Sequence, residues 1–395
     1  MTKLALNFIC KDESHVIERM LNSSKSITDL IVAVDTGSSD NTIELIKRFG
    51  ENNNIPTYVF ERPFDTFNNS RNFAMQMAKN VVSELDWNPN ETWTYWFDCD
   101  EEILVDSNFD RNQFNKDLFM INARIGKMVY TRNTFCRVSK LVDELEWIGP
   151  VHEFITSKNQ NITSGLVQNL MIDVSMDGAS WQGDVSQKYL SHAHKLEAYI
   201  ASDRSDPRWV FYTAQSYHDS ASMKDNKEEN EERLRRSLKY YKERVSRPDG
   251  YPEEIYYAQY RVGAIMRVLE EPWHLTHQEL LKAYAIDPLR GESIKVIIDY
   301  YLQMSDWHMA YLYTKFARTT FHGKNPYPTR LLFVDETTYN WKFLEAHCAS
   351  CFYTNRLDEA RVGYAEIVQL TKSHPQYFTP EDLQKIQMNG QFFNR

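Results

Sequence analysis

Four short apolar runs, each followed by polar or acidic residues, constrain most strongly how the first 105 residues can fold. The runs occupy residues 4–10, 30–34, 57–61 and 93–97, and helical patterns occupy residues 14–24, 41–49 and 70–85. Alternating strands and helices predict a mostly parallel sheet that is covered on both faces. In such sheets, ligands bind beyond the carboxyl ends of the strands. We therefore expect a binding site along that edge.

Charged residues cluster where these runs end. They are Lys11, Asp12 and Glu13 after the first run, Asp35 after the second, and Asp98 and Asp100 after the fourth. Two carboxylates separated by one residue at a strand end can reach a shared divalent cation, and such hard oxygen ligands suit Mg²⁺ or Mn²⁺. An Asp-x-Asp pattern alone is a weak signal, so its weight depends on the surrounding sequence.

The rest of the chain changes character twice. Residues 106–178 carry β-type segments at 127–131 and 134–138, and a helical pattern runs from about residue 184 almost to the end. Candidate helices occupy residues 186–204, 208–222, 228–246, 253–270, 276–286, 291–304, 307–320, 337–353, 357–371 and 380–387. Paired helices recur at about 40–48 residues, which favours a degenerate tetratricopeptide-like solenoid over a non-repetitive helical bundle.

Composition limits the classes of protein to consider. The 395 residues are 42% hydrophobic and 25% charged, as in globular proteins, and the length favours two domains. The net charge of −10 counts against general affinity for nucleic acid. No apolar run approaches the roughly 20 residues of a membrane helix, so no membrane span is expected. The first residues, MTKLALNFICKDE, fit a buried strand better than a signal peptide.

The cysteines favour a reduced, cytoplasmic compartment. There are five, an odd number: Cys10, Cys99, Cys136, Cys348 and Cys351. Only Cys348 and Cys351 have the spacing of a metal or redox pair, but they lie in an apparent helix and no second pair accompanies them. Plain burial is therefore their expected role.

Five short motifs within residues 4–153 add a family resemblance. In chain order they read NFICKDE at residues 7–13, VDTGSSDNT at 34–42, FNNSRN at 67–72, WFDCDE at 96–101 and WIGPVHE at 147–153. Together they resemble the family 2 glycosyltransferases of the GT-A fold, and the tail resembles that of a subgroup with a tetratricopeptide-like C-terminal region. The resemblance implies a GT-A nucleotide-sugar-binding catalytic domain over residues 1–183. It also implies a helical domain over residues 184–395 that binds the acceptor or forms oligomers.

The resemblance implies a nucleoside-diphosphate-sugar donor, with a UDP-sugar favoured, and a set of residues around it. Asp35 would accept hydrogen bonds from the nucleobase or its ribose. The implied donor contacts are Cys10, Lys11, Asp12, Glu13, Asp35, Ser38, Arg71, Asn72, Asp98, Cys99 and Trp147.

Several of these residues have a structural alternative. Ser38 and Asp40 could cap the helix that begins near residue 41. Arg71 could pair with a carboxylate at the sheet edge instead of contacting the base or a diphosphate oxygen. Trp147 could form a floor for a sugar ring or pack in the core.

The family's metal and base residues can be transferred in the same way. Asp100 would be a direct ligand of Mn²⁺ or Mg²⁺, Asp98 would hold the ribose or reach the ion through water, and His152 is the candidate second protein ligand. Glu153 and Glu101 compete as the general base. Glu153 is slightly favoured, because Glu101 adjoins the acidic pair and could tune it instead.

The implied reaction is a metal-dependent single displacement that inverts the anomeric carbon. The acceptor stays open between a peptide, a saccharide and a modified DNA base, and the acidic charge balance makes the DNA base the least expected. Homodimerisation through the helical region also stays open. Two other functions are considered: a nucleotidyltransferase or hydrolase that uses the same ion, and a non-catalytic helical-repeat binding protein.

Overall fold

The computed structural model describes residues 2–126, 128–159, 161–222, 226–326, 329–330 and 332–393. The chain divides into two compact units, Met1–Ser202 and Asp203–Arg395. The boundary predicted at residue 183 falls before the last helix of the first unit, Val185–Ser202, which the sequence pattern had grouped with the helical region. Among the described residues, no helix combines the length and the apolar character that a membrane span requires.

The first unit is built on a mixed sheet. Its strands are β1 (Lys3–Cys10), β2 (Leu30–Asp35), β3 (Thr57–Glu61), β4 (Thr92–Tyr95), β5 (Glu101–Val105), β6 (Leu118–Ile125), β7 (Met128–Arg137), β8 (Leu145–Ile148), β9 (Phe154–Ser157) and β10 (Ser164–Val174). Eight of them follow the order β3-β2-β1-β4-β7-β6-β10-β5, and β8 pairs with β9 as a separate hairpin. The run β3-β2-β1-β4 is entirely parallel, whereas β7 is antiparallel to both β4 and β6.

The apolar run of β2 explains its central place. All six of its residues, LIVAVD, are buried, as expected for a parallel strand covered on both faces. The register between β1 and β2 sets Cys10 opposite Asp35, so both strands end at the same level. The polar residues that follow these strands therefore start side by side, as the sequence predicts.

Four helices complete this unit: α1 (Ile17–Ser24), α2 (Thr42–Asn53), α3 (Phe67–Glu84) and α4 (Val185–Ser202). The hydroxyl of Thr66 caps α3 by accepting a hydrogen bond from the backbone N–H of Asn69 at 3.4 Å. Met75 and Ala78 lie on the buried face of α3 and belong to the same apolar core as Val32 of β2. This packing fixes Arg71 and Asn72, one turn earlier, at the sheet edge.

The second unit is helical. Its elements are α5 (Pro207–Ser222), α6 (Lys227–Ser246), α7 (Pro252–Val268), α8 (Trp273–Ile286), α9 (Glu292–Gln303), α10 (Trp307–Thr320), the two-residue strand β11 (Val334–Asp335), α11 (Phe343–Tyr353), α12 (Leu357–Ser373) and α13 (Pro380–Phe393). Helices that follow one another in the chain pack as neighbours, including α5 with α6, α7 with α8 and α11 with α12. The predicted fold class, an α/β domain followed by a tetratricopeptide-like helical region, is confirmed.

Two glycines permit close approach within these helix pairs. A Cβ on Gly263 of α7 would lie 2.6 Å from the side chain of Leu280 in α8. A Cβ on Gly363 of α12 would lie 2.6 Å from the Sγ of Cys348 in α11. Both separations are too short for real carbon contacts, so the absence of a side chain allows the helices to touch.

Candidate functional site

The loops after β1 and β2 are joined by side chains. The backbone N–H of Asp12 donates to the Ser38 hydroxyl at 2.9 Å, and Asp12 Oδ1 accepts from the backbone N–H of Ser39 at 2.6 Å. Asp12 adopts a left-handed conformation with φ of 55°. The structure thus brings Asp12 and Ser38 together, while Lys11 is exposed at the same edge.

The Asp35 carboxylate is hydrogen-bonded within the turn that follows β2. The residue is 2% exposed, its Oδ1 accepts from the backbone N–H groups of Gly37 at 2.9 Å and Ser38 at 2.8 Å, and its Oδ2 accepts from the Ser38 hydroxyl. We expected the carboxylate to contact the nucleobase, but both oxygens are already bonded within the turn. The geometry supports a positioning role for Asp35 and Ser38.

Asp40 connects the start of α2 with the first loop. Its carboxylate accepts from the backbone N–H of Thr42 at 3.0 Å and from that of Ser14 at 3.1 Å. Burial raises the pKa of Asp40, but the hydrogen bonds from Thr42 and Ser14 outweigh it and lower the pKa to about 2. The geometry favours the structural alternative, since Asp40 satisfies backbone donors at the helix start.

Three carboxylates gather behind the fourth strand and form what we call the acidic centre: Glu13, Asp98 and Asp100. Burial, and next the negative charge of Asp98, raise the pKa of Asp100, which is 8% exposed. Burial also raises the pKa of Glu13 to about 7, with Asp100 and Asp98 adding to the effect although the N–H of Ala179 opposes it. Burial, together with the neighbouring carboxylates, therefore disfavours the ionised forms of Glu13 and Asp100.

The acidic centre fits a hard divalent cation by its chemistry. Its donors are carboxylate oxygens, which suit Mg²⁺ or Mn²⁺. A cation would also offset the carboxylate repulsion that adds to the effect of burial in raising the pKa values of Glu13 and Asp100. The full predicted ligand set is not assembled, however. Within the described ranges, no three ligand atoms drawn from Asp98, Asp100, His152 and Glu13 lie within 4.8 Å of one another.

His152 instead approaches another histidine. Its backbone is left-handed, with φ of 53°, and its ring meets that of His192 edge-on, with centroids 5.7 Å apart. Burial, and next the charge of His152, lower the pKa of His192 to about 3. The expected placement of His152 beside Asp100 therefore stays a prediction.

Arg71 joins two strand ends that are far apart in sequence. Its Nη2 donates to Asp98 Oδ1 at 2.6 Å and its Nε donates to Glu153 Oε1 at 2.8 Å. The guanidinium lies 4.6 Å from the ring centroid of Trp96 and 4.8 Å from that of Trp147, and the residue is 6% exposed. The geometry favours the structural alternative for Arg71, pairing with carboxylates.

These ion pairs set the ionisation of Asp98. Burial raises its pKa, but the positive charges of Arg71 and then Arg132 outweigh that effect and lower it overall. Glu153 shares Arg71, and its side chain is 12% exposed. The structure thus brings Asp98 and the favoured general base to one guanidinium.

Glu101 is enclosed and fully bonded. It is 3% exposed, it forms a two-point ion pair with Arg132, and its Oε2 accepts from the backbone N–H of Asp98 at 2.8 Å. Burial raises the pKa of Glu101, although Arg132 opposes the shift. A carboxylate so committed cannot readily reach an acceptor, so the geometry disfavours Glu101 as the base and supports its role behind the acidic pair.

Four residues predicted to contact the sugar donor are instead buried or half-buried, and bonded within the protein. The Asn72 amide exchanges two hydrogen bonds of 2.9 Å with the backbone of Trp147, whose ring is 3% exposed and meets Trp96 edge-on. Cys10 and Cys99 are each 4% exposed, with thiols directed at main-chain carbonyls 3.8 Å away. Burial raises the pKa of both thiols, so direct donor contact by these side chains is not supported.

The sequence reasoning missed the segment that covers the acidic centre. A Cβ on Gly178 would lie 2.9 Å from Asp100 Cβ and 3.2 Å from Glu13 Oε2, and the N–H of Ala179 donates to Glu13 at 3.1 Å. Arg19 anchors this segment through Asp177, with contacts of 2.7 and 2.5 Å. Nothing in the local pattern of residues 175–183 indicates this packing, since it depends on contacts more than 150 residues apart.

Lys188 is a second missed residue. Its Nζ lies 4.0 Å from the ring centroid of Trp181 and donates to the Ser180 hydroxyl at 3.1 Å. Burial lowers the pKa of Lys188, while the nearby charges of Asp100 and Asp98 oppose that shift. A cationic side chain therefore faces the acidic centre from α4.

The first unit has acidic side chains gathered at the carboxyl ends of the parallel strands of a mixed sheet, and a helical region follows it. This is the arrangement expected of a glycosyltransferase with a helical tail. The chain is 22% identical over 249 residues to the prophage-derived glycosyltransferase SunS of Bacillus subtilis, covering 60% of this chain and 54% of SunS. It is 33% identical over 103 residues to an uncharacterized glycosyltransferase of Rickettsia prowazekii, covering 26% of this chain and 30% of that protein. The predicted resemblance to glycosyltransferases is confirmed.

These similarities cover only parts of the relatives. The chain spans about half the length of SunS and under a third of the Rickettsia protein. No protein family model matches the chain. Among solved structures, BtubC of P. vanneervenii aligns with a TM-score of 0.40 at 13% identity, over 54% of this chain and 84% of that one. TarS of S. aureus aligns with a TM-score of 0.36 at 11% identity, over 73% and 55%.

Proposed function

We propose that this chain is a glycosyltransferase that moves a sugar from a nucleoside-diphosphate sugar, with a UDP-sugar favoured, to a nucleophilic acceptor. One observation carries the proposal: Glu13, Asp98 and Asp100 gather beyond the carboxyl ends of parallel strands in a chain whose sequence relatives are glycosyltransferases. Strand ends of this kind bind nucleotides in α/β sheets.

The acidic centre would hold the donor's diphosphate through a divalent cation. Asp100 and Asp98 are the residues that would bind Mn²⁺ or Mg²⁺, with His152 retained as a further candidate. When bound there, the cation would offset the negative charge that develops on the departing diphosphate. Lys188 would add a positive charge close to the same oxygens.

The surrounding side chains hold this arrangement in place. Arg71 keeps Asp98 ionised, and Glu101 fixes the strand-end loop by accepting from the backbone N–H of Asp98. Glu13 and Gly178 close the far side of Asp100. Rigid support of this kind favours catalysis, because the charges need not rearrange as the bond breaks.

Glu153 is the proposed general base. Arg71 binds its Oε1, which orients the carboxylate and leaves Oε2 to accept the proton of the attacking acceptor group. A single displacement would follow, with the acceptor attacking the anomeric carbon opposite the leaving diphosphate. Such a reaction inverts the anomeric centre.

A donor screen tests the proposal. Purified protein is incubated with Mn²⁺ and a panel of nucleotide sugars, and released nucleoside diphosphate is measured with and without a chelator. We expect metal-dependent release from one donor, lost in Asp100→Ala and retained in Asp143→Asn, whose carboxylate is an exposed partner of Lys79. Release of pyrophosphate from a nucleoside triphosphate would instead identify a nucleotidyltransferase.

The acceptor is proposed only by class. A peptide, a saccharide and a modified DNA base remain the candidates, and the net charge of −10 ranks the DNA base last. We assign acceptor binding to the helical unit, since arrays of paired helices offer extended surfaces to partners. Deleting residues 203–395 should then reduce sugar transfer more than donor hydrolysis, whereas an oligomerisation role would show as a loss of dimers in light scattering.

A further inference from the structure

We propose that His347, Cys351 and Glu359 form a zinc site that joins α11 to α12 in the helical unit. Each residue offers one ligand atom, and these atoms all lie within 4.8 Å of one another. The three residue types are those that bind Zn²⁺ in proteins. The site is separate from the acidic centre and from the proposed glycosyl transfer.

The backbone places the three ligands without distortion. His347 and Cys351 are one helical turn apart on α11, so they share a face, and both are 0% exposed. Glu359 lies in the first turn of α12 with its side chain 32% exposed. The contact between α11 and α12 at Gly363 brings the two faces together.

The distances match those around a tetrahedral zinc ion. Cys351 Sγ lies 3.5 Å from His347 Nε2, and His347 Nε2 lies 3.1 Å from Glu359 Oε1. Usual zinc bond lengths with tetrahedral angles put neighbouring S and N ligands about 3.5 Å apart, and neighbouring N and O ligands about 3.4 Å apart. The two separations at His347 Nε2 therefore lie within a few tenths of an ångström of these values, and the Cys351 and Glu359 ligand atoms lie within 4.8 Å of each other.

Neighbouring side chains leave the required atoms turned toward this position. His347 Nδ1 lies 3.3 Å from the Thr314 hydroxyl, which can accept its N–H and so leave Nε2 as the ligand. Tyr311 donates to Glu359 Oε2 at 3.0 Å and leaves Oε1 for the ion. On binding, Cys351 loses its thiol proton to solvent, since the thiolate is the ligand.

Cys348 does not belong to the site, although its spacing from Cys351 first suggests a pair. Its Sγ faces Gly363 on α12. Glu359 is partly exposed, so water can reach the fourth position on the ion. Zinc sites with three protein ligands and a bound water are common in proteins. The rival explanation is a metal-free His347–Glu359 hydrogen bond beside a buried thiol, with Lys315 3.6 Å from the same carboxylate oxygen.

Cobalt substitution separates the two explanations. Full-length protein is stripped with a chelator and titrated with Co²⁺, then with Zn²⁺. We expect a near-ultraviolet thiolate-to-cobalt charge-transfer band that one equivalent of zinc removes. Cobalt bound by carboxylates such as Asp98 and Asp100 produces no such band, so binding at the acidic centre does not contribute to the measured absorbance.

Variants identify the ligands. Cys351→Ala should abolish the charge-transfer band, and Glu359→Gln should weaken cobalt binding at least tenfold. The matched control Cys348→Ala should retain the band and the wild-type affinity for cobalt. Circular dichroism confirms that each variant is folded. No band in the wild-type protein, or a band that survives Cys351→Ala, would overturn the proposal. Loss of glycosyl transfer would not bear on it, because the readout is optical.

Discussion

Arg71 and Asp98 lie 2.6 Å apart, from Nη2 to Oδ1, and the same guanidinium also binds Glu153. One buried cation thus pairs with two acidic side chains at different strand ends. Because it is shared, its removal should affect both the acidic centre and the proposed base.

We expect Arg71→Met to lower the free energy of unfolding by about 2–4 kcal/mol, because it leaves two carboxylates without their partner. Turnover should fall about 100-fold, since both groups lose their orientation. Urea denaturation and donor-turnover assays measure the two effects. Arg48→Met is the control: Arg48 is exposed and pairs with the exposed Glu18 at 3.0 Å, so a change within about 0.5 kcal/mol is expected. Equal effects in both variants would contradict the prediction.

Asp100→Asn should remove metal-dependent turnover. We expect a loss of at least about 100-fold, because the proposed cation would lose its main anionic ligand. Stability should not fall, since burial, and next the negative charge of Asp98, raise the pKa of Asp100 and so disfavour the charge that the substitution removes. Calorimetric titration with Mn²⁺ measures binding directly. Unchanged Mn²⁺ affinity would rule out Asp100 as a ligand.

Glu13 should make the metal-free protein less stable as the pH rises. Its pKa is about 7 in the folded chain against 4.5 as a reference, so the folded state binds the proton more tightly. Stability therefore falls as pH rises from about 4.5 to 7, by on the order of 1–2 kcal/mol. Glu13→Gln should flatten this part of the profile in denaturation experiments in a chelating buffer, while Glu18→Gln should not. A parallel profile for Glu13→Gln and the wild type would refute the assignment.

Gly178→Ala should impair activity more than stability. The added Cβ would lie 2.9 Å from Asp100 Cβ, so the segment must shift away from the acidic centre. We expect turnover to fall about tenfold, because small misplacements of charged groups are costly in catalysis. Gln182→Ala, in the same segment but exposed, serves as the control. Full activity of Gly178→Ala would show that this segment does not shape the site.

Lys188→Met should weaken donor binding. Its positive charge acts on Asp98 and Asp100, and we place it near the diphosphate. The KM for the donor should rise about tenfold while the melting temperature changes little. Lys195→Met, on the exposed part of the same helix, should leave the KM unchanged. A fall in kcat with constant KM would indicate a role in the chemical step instead.

Local pattern was sufficient for much of the fold. The runs at residues 30–34 and 57–61 became β2 and β3 almost unchanged, because short runs rich in β-branched and aromatic residues favour strands. The pattern did not reveal β6 and β10. In β10 the pairing with β6 shifts register between Leu166 and Met171, so the regular alternation that identifies a strand is interrupted.

The site was located more reliably than its residues were assigned. Strand ends indicated where Asp98 and Asp100 would lie, but not that Arg71 would bind Glu153, which is 82 positions away. Asp35 could not be recognised as a turn residue from its letters alone, because its partners are backbone groups. Sequence motifs therefore indicate the region of the site, whereas the contacts between residues distant in sequence determine the role of each side chain.

The two hydrogen bonds between the Asn72 amide and the backbone of Trp147 have a mechanical consequence. Asn72 follows Arg71 directly on α3. A single helical turn therefore binds β8 through the backbone of Trp147 and binds the Glu153 carboxylate through Arg71. Displacing that helix would carry the hairpin and Glu153 with it as one piece. The spacing between Asp98 and Glu153 is consequently held by one helix, because both carboxylates bind the same side chain of α3.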